Sequence, residues 1–126
     1  MSESVRVMLP EEKVNQRIAE LGEEISKEFA GEPVHLICIL KGSVFFTCEL
    51  AKRITVPVTM DFMTVSSYGS GTTSSGNVKI KKDLDEDIAG KNVVVIEDII
   101  DTGRTLACLL EILKERNPKK LKLCTL

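Results

Sequence analysis

The sequence predicts an α/β fold built on an open, mostly parallel sheet, and three observations carry that expectation. Two short apolar runs, Val34–Leu40 (VHLICIL) and Asn92–Glu97 (NVVVIE), are nearly continuous, as in strands covered on both faces. Segments with helical periodicity alternate with these runs along the chain. Lys41-Gly42 follows the first run and Asp98 the second, which places polar groups at strand ends.

Taken in order, Pro10-Glu11-Glu12 opens a first helix, because proline suits the first helical position and acids suit the positive dipole end. Val14, Ile18, Leu21, Ile25 and Phe29 recur at spacings of three and four and make its apolar face, and Gly31 stops it. After the strand Val34–Leu40, Lys41-Gly42 breaks the run and Ser43–Ile54 reads as a helix. Pro57–Val65 is a strand rich in Val and Thr. Ser66–Gly76 is a polar, glycine-rich stretch that cannot form a core, and Asn77–Lys82 can pair back as a further strand. Asn92–Glu97 is the next buried strand, Thr105–Arg116 a helix ended by Asn117-Pro118, and Leu121–Leu126 a last strand beside the one carrying Glu97. No internal repeat or second domain interrupts the pattern, so residues 1–126 are expected to form a single domain.

Composition narrows the function. With 126 residues, 43% of them hydrophobic, the chain suits one globular domain. Seventeen basic residues against nineteen acidic ones leave a net charge of −2, without the basic excess of a nucleic-acid binder. The substrate is therefore expected to be small, with any anion site built locally. No stretch approaches the roughly 20 apolar residues of a membrane span. The start Met1-Ser2-Glu3-Ser4 has neither the basic flank nor the apolar core of a secretory signal. Cys38, Cys48, Cys108 and Cys124 lack metal-binding spacing and sit in apolar segments, which reads as buried free thiols in a reducing cytoplasm.

The chemistry concentrates in Val93–Thr105 (VVVIEDIIDTGRT). A buried strand delivers two carboxylates, Glu97 and Asp98, at its carboxyl end, and Asp101 adds a third. Thr102-Gly103-Arg104-Thr105 then turns into a helix, whose first amides and positive dipole end form a phosphate site. Gly103 permits close backbone approach, and Thr102 and Thr105 add hydroxyl donors. Carboxylates so near a phosphate make sense when the ligand also offers hydroxyls or a divalent cation, as a phosphorylated sugar does. The bland alternative is a strand end with solvated acids and a capped helix, which leaves the coincidence of all three parts unexplained. Lys41-Gly42, Ser67-Tyr68 and Glu97-Asp98 each follow or close a strand, so three segments meet where ligands bind in open α/β sheets.

This run resembles the signature of the type I phosphoribosyltransferases, and the likeness extends over essentially the whole chain. Ile39-Leu40-Lys41-Gly42, Asp61–Gly69 (DFMTVSSYG) and Lys82–Ile88 (KDLDEDI) point to the purine branch. The resemblance implies a Rossmann-like sheet with a mobile lid hairpin, and transfer of 5-phosphoribosyl from 5-phosphoribosyl 1-diphosphate to hypoxanthine or guanine. The products are then IMP or GMP plus diphosphate. By the same resemblance Glu97 and Asp98 face the ribose hydroxyls and a magnesium ion, and Asp101 is the general base, or the electrostatic partner, for the proton of the purine ring nitrogen. Asp101–Thr105 holds the 5′-phosphate, Lys41 and Gly42 contact the diphosphate, and the Leu40–Lys41 peptide is cis. Ser67 and Tyr68 close over the diphosphate as part of the lid, and the protein is a homo-oligomer, dimer or tetramer. The family pattern continues for roughly another third beyond this sequence and there supplies contacts to the base. The domain is therefore expected to be incomplete at its carboxyl end, and base preference is not legible. A second hypothesis is a catalytically impaired or regulatory nucleotide-binding module of the same fold.

Other signals carry less. Gly69-Ser70-Gly71 lacks the third glycine and following helix of a dinucleotide loop. Asp83, Asp85 and Asp87 imitate the start of a calcium loop, but Ile88 and Val94 occupy its sixth and twelfth positions. A solvated turn is the expectation there. His35, inside an apolar strand, is expected to be a packed and satisfied side chain.

Overall fold

The structure, a computed structural model, describes residues 11–67, 78–97 and 104–125. Eight elements follow in order: helix α1 (Glu11–Glu28), strand β1 (Val34–Ile39), helix α2 (Val44–Ala51), strands β2 (Val58–Ser67), β3 (Val78–Lys82) and β4 (Asn92–Glu97), helix α3 (Arg104–Lys114) and strand β5 (Lys120–Thr125). They build one five-stranded sheet in the order β3-β2-β1-β4-β5. Only β3 runs antiparallel to its neighbour. The mostly parallel α/β architecture expected from alternation is the one observed.

Alternating side chains divide the core between the two faces of this sheet. Val34 and Leu36 of β1, with Val94 and Ile96 of β4, meet Ile18, Leu21, Ile25 and Phe29 of the first helical segment and Phe46 and Leu50 of α2. Ile37, Ile39, Val93 and Val95 turn the other way, onto Met63, Ile88 and Leu109 and Leu113 of α3. Every residue of β1 is buried, which is why its sequence is a continuous apolar run and not an alternating one.

Several boundaries differ from the sequence expectation. Helix α2 is shorter than Ser43–Ile54, and β2 extends past Val65 to include Ser66 and Ser67. Those serines read as loop because they are polar. They stay in the ladder because Lys79 and Val78 of β3 pair with them across the hairpin. Helix α1 gives way to Gly31 at φ 81, and α3 to Asn117 at φ 63, both left-handed positions that end a helix.

Three side-chain expectations need correction. Cys38 and Cys124 are buried free thiols, but Cys48 is exposed and Cys108 half-buried. The cause at Cys48 is that α2 is apolar on all sides yet buries one face only, leaving even Phe45 83% exposed. His35 is buried and its Nδ1 meets the Thr59 hydroxyl at 2.6 Å, but Nε2 has no hydrogen-bond partner among the described residues. The Asp83–Asp87 turn is exposed but not merely solvated. Arg116 donates to both oxygens of Asp83 at 2.8 and 2.9 Å, and Asp61 anchors the turn from below.

Candidate active site

The order of the strands creates the site. The chain passes from β1 through α2 to β2 on one side, and from β4 through α3 to β5 on the other. Connections thus diverge between β1 and β4, and a crevice opens outside the carboxyl ends of these two strands. Cys38 pairs with Ile96 in the parallel register, so the segments leaving β1 and β4 start side by side.

From β1 the chain leaves through Leu40, whose amide continues the ladder to the Met63 carbonyl at 2.9 Å. The Leu40–Lys41 peptide is cis, as the resemblance implied. Lys41 and Gly42 are exposed at this edge, and the Lys41 carbonyl accepts the Val44 amide at 3.1 Å as the turn passes into α2. From β4 the chain leaves at Glu97, half-buried and paired with Thr125 of β5. The structure therefore brings Lys41, Gly42 and Glu97 to one edge of two adjacent strands.

Arg104 and Thr105 begin α3, with six residues between them and Glu97. Asp98, Asp101, Thr102 and Gly103 lie outside the described residues, as does Tyr68. Ser67 ends β2, four residues beyond Met63, the partner of Ile39. At about 3.3 Å per residue, the strand rises roughly 13 Å above the crevice floor before the chain reaches Tyr68. Among the described residues no three His, Cys, Asp or Glu side chains gather as a metal site, and no helix is long and apolar enough to cross a membrane.

Two buried polar residues escaped the sequence reading. Asp61 lies on the α3 face of β2, and its carboxylate accepts the amides of Phe62 (2.8 Å), Asp85 (2.9 Å) and Glu86 (3.1 Å). A lone acid in a Val/Thr/Met strand is the only signal that could have marked it. Ser43, which read as the first residue of a helix, is 1% exposed between β1 and β4. Its hydroxyl donates to the Ile39 carbonyl at 2.7 Å and lies 3.2 Å from the Ile96 carbonyl. The Cys38 thiol is 3.5 Å away and the Thr47 hydroxyl donates to the Ser43 carbonyl at 2.8 Å.

Known proteins share this layout. The family model of the phosphoribosyl transferase domain matches residues 8–126. A hypoxanthine phosphoribosyltransferase of Buchnera aphidicola is 50% identical over 128 aligned residues, covering 100% of this chain and 72% of that protein. The hypoxanthine phosphoribosyltransferase of Escherichia coli is 48% identical, with the same coverage. A crystal structure of a hypoxanthine-guanine phosphoribosyltransferase from Bacillus anthracis superposes with a TM-score of 0.92 at 43% identity, over 99% of this chain and 74% of that one. A parallel sheet with its switch point between β1 and β4, a family match along nearly the whole chain and half-identical relatives agree: the chain belongs to the phosphoribosyltransferases, in the purine branch of the hypoxanthine phosphoribosyltransferases.

Proposed function

We propose that this chain transfers the 5-phosphoribosyl group of 5-phosphoribosyl 1-diphosphate to hypoxanthine or guanine, releasing diphosphate and IMP or GMP. The observation that carries the reading is the convergence of Lys41-Gly42 and Glu97 at the switch point between β1 and β4. That edge offers a cation and an exposed backbone turn on one side and a carboxylate on the other, which suits a ligand with diphosphate at one end and hydroxyls in its middle.

In this reading Lys41 and the Gly42 backbone hold the diphosphate and offset its growing charge as the C1–O bond of the sugar breaks, the kind of electrostatic contribution that usually dominates such catalysis. The purine ring nitrogen forms the new bond to C1, diphosphate leaves with the electron pair of the broken bond, and the ring proton passes to Asp101. Glu97 and Asp98 orient the ribose hydroxyls. The amides and hydroxyls from Thr102 through Gly103 and Arg104 to Thr105 hold the 5′-phosphate at the start of α3, where the helix dipole favours it. Ser67 and Tyr68 close over the diphosphate and exclude water from the reacting carbon.

Glu97 and Asp98 are also the residues that would hold magnesium. A hard oxygen donor at the strand end suits that ion, which characteristically takes one or two carboxylates and completes its shell with substrate phosphate and water. Bound there, it would neutralise diphosphate charge. The same reading includes a homo-oligomer, dimer or tetramer, with the exposed Phe45 as a side chain in want of cover, and a cytoplasmic setting that suits four free thiols.

The test is a steady-state assay of diphosphate release with magnesium, the sugar diphosphate and, in turn, hypoxanthine, guanine and xanthine. Turnover with hypoxanthine or guanine is expected. Binding of the sugar diphosphate without turnover on any base would favour a non-catalytic nucleotide module.

A further inference from the structure

We propose that Ser43 is a positioning residue: its buried hydroxyl staples the end of β1 to the end of β4 and so sets the spacing between the Lys41-Gly42 turn and Glu97. Ser43 occupies the N-cap of α2, where a serine hydroxyl normally accepts an amide of the first helical turn. Here no side-chain cap bond forms. The hydroxyl points back into the sheet instead, donating to the Ile39 carbonyl and reaching the Ile96 carbonyl. The first contact is local, four residues back along the chain. The second joins residues 53 apart.

Those two carbonyls mark where the two site segments begin. Ile39 is the last residue of β1, two before Lys41, and the Ile96 carbonyl belongs to the peptide that leads into Glu97. A hydroxyl has one proton to give, so the Ile39 carbonyl at 2.7 Å and the Ile96 carbonyl at 3.2 Å share it in a three-centre bond, with Cys38 Sγ 3.5 Å from the same oxygen and Ser43 itself buried. In a low-dielectric interior such contacts hold geometry tightly, because a displaced carbonyl there finds no water. A residue that forgoes its local capping role for a bond between two site segments breaks a local rule, and rule-breaking of this kind concentrates at functional sites.

This inference rests on the ligand assignments above and makes a prediction they do not. The sugar diphosphate spans both segments, with its diphosphate on Lys41-Gly42 and its ribose on the Glu97 side. GMP has no diphosphate and is held on the Glu97 side alone. Loss of the staple should therefore weaken the first ligand and spare the second.

The experiment compares wild type with Ser43→Ala, well below the unfolding temperature, by calorimetric titration of magnesium 5-phosphoribosyl 1-diphosphate and of GMP. We expect affinity for the sugar diphosphate to fall about fivefold or more, the scale of one buried hydrogen bond, and affinity for GMP to stay within about twofold. The KM for the sugar diphosphate should rise in step. An equal loss for both ligands, the mark of general loosening, overturns the proposal, and so does no loss for either. Should Ser43→Ala fail to fold, Ser43→Cys replaces it under the same criteria, since the thiol keeps the volume but is a much weaker donor. Wild-type chain that binds no sugar diphosphate at all would remove the underlying reading, whereas wild-type binding with an unchanged Ser43 variant removes the staple alone.

Discussion

Lys41, Gly42 and Ser43 follow one another at the end of β1, yet the first two are exposed at the crevice and the third is sealed beneath it. Chemistry at this scale depends on where each group can place a charge or a proton. Asp101, between the acid pair and the phosphate turn in sequence, is assigned the proton of the purine ring. Asp101→Asn keeps the shape and removes the base, so turnover is expected to fall by about 10²–10⁴-fold while affinity for the sugar diphosphate changes little. Single-turnover kinetics beside a binding titration separates the two, and near-wild-type turnover would take Asp101 out of that role.

His35 supplies a second test at the residue scale. Burial, with help from the positive charge of Lys91, pushes its pKa below the ordinary 6.5, against the opposing pull of Glu86 and Asp61. The folded protein therefore holds this proton less readily than the unfolded chain does. Its neutral form contributes fully to stability above about pH 6.5, and that contribution is lost as pH falls through the lower folded value. Chemical denaturation should show stability declining just below pH 6.5, with a slope of at most about 1.4 kcal/mol per pH unit from this one group. His35→Gln should flatten the slope in that window. An unchanged slope would mean that other groups cause it.

Among the elements, α1 meets the segment that follows α2 where Gly22 faces Arg53. A Cβ on Gly22 would lie 2.7 Å from Arg53 Cβ and 3.0 Å from its carbonyl oxygen. Alanine improves helix propensity over glycine by about 1 kcal/mol. Overpacking against a backbone that cannot yield costs about 1–3 kcal/mol. The clash should win, because the neighbour is main chain and Cβ, not a flexible tip. Gly22→Ala is therefore expected to lower the melting temperature by a few degrees and to leave the KM for either substrate unchanged, as Arg53 lies past the end of α2 opposite the Lys41-Gly42 turn. A variant more stable than wild type would show that the helices can separate freely.

For the molecule as a whole, the position of the crevice follows from the topology, and the catalytic reading then depends on charge balance. Net charge is −2, so binding a multiply anionic substrate relies on local compensation. Chelation of divalent cations should abolish transfer and weaken sugar-diphosphate binding sharply, with recovery on adding back magnesium. GMP affinity should change far less, since it carries no diphosphate. Retention of full transfer in excess chelator would exclude the magnesium assignment.

Much of this was legible in the residues themselves. Continuous apolar runs at Val34–Leu40 and Asn92–Glu97 sufficed for buried parallel strands, because a strand covered on both faces leaves no room for polar alternation. The ordered run from Val93 to Thr105 carried the resemblance to the family the chain belongs to, because its acids, glycine and helix start follow one another in the sequence itself. What tertiary structure alone decided involves partners far apart in the chain. Ser66 and Ser67 belong to a strand because β3 pairs with them, and Asp61 is buried because the amides of Asp85 and Glu86 meet it. Cys48 and Phe45 are exposed because α2 is covered on one side only, a fact its largely apolar sequence conceals. Ser43 looked like an ordinary helix cap, since local pattern reports only neighbours within a turn or two. Its contact with Ile96, 53 residues away, exists only once β1 and β4 lie side by side.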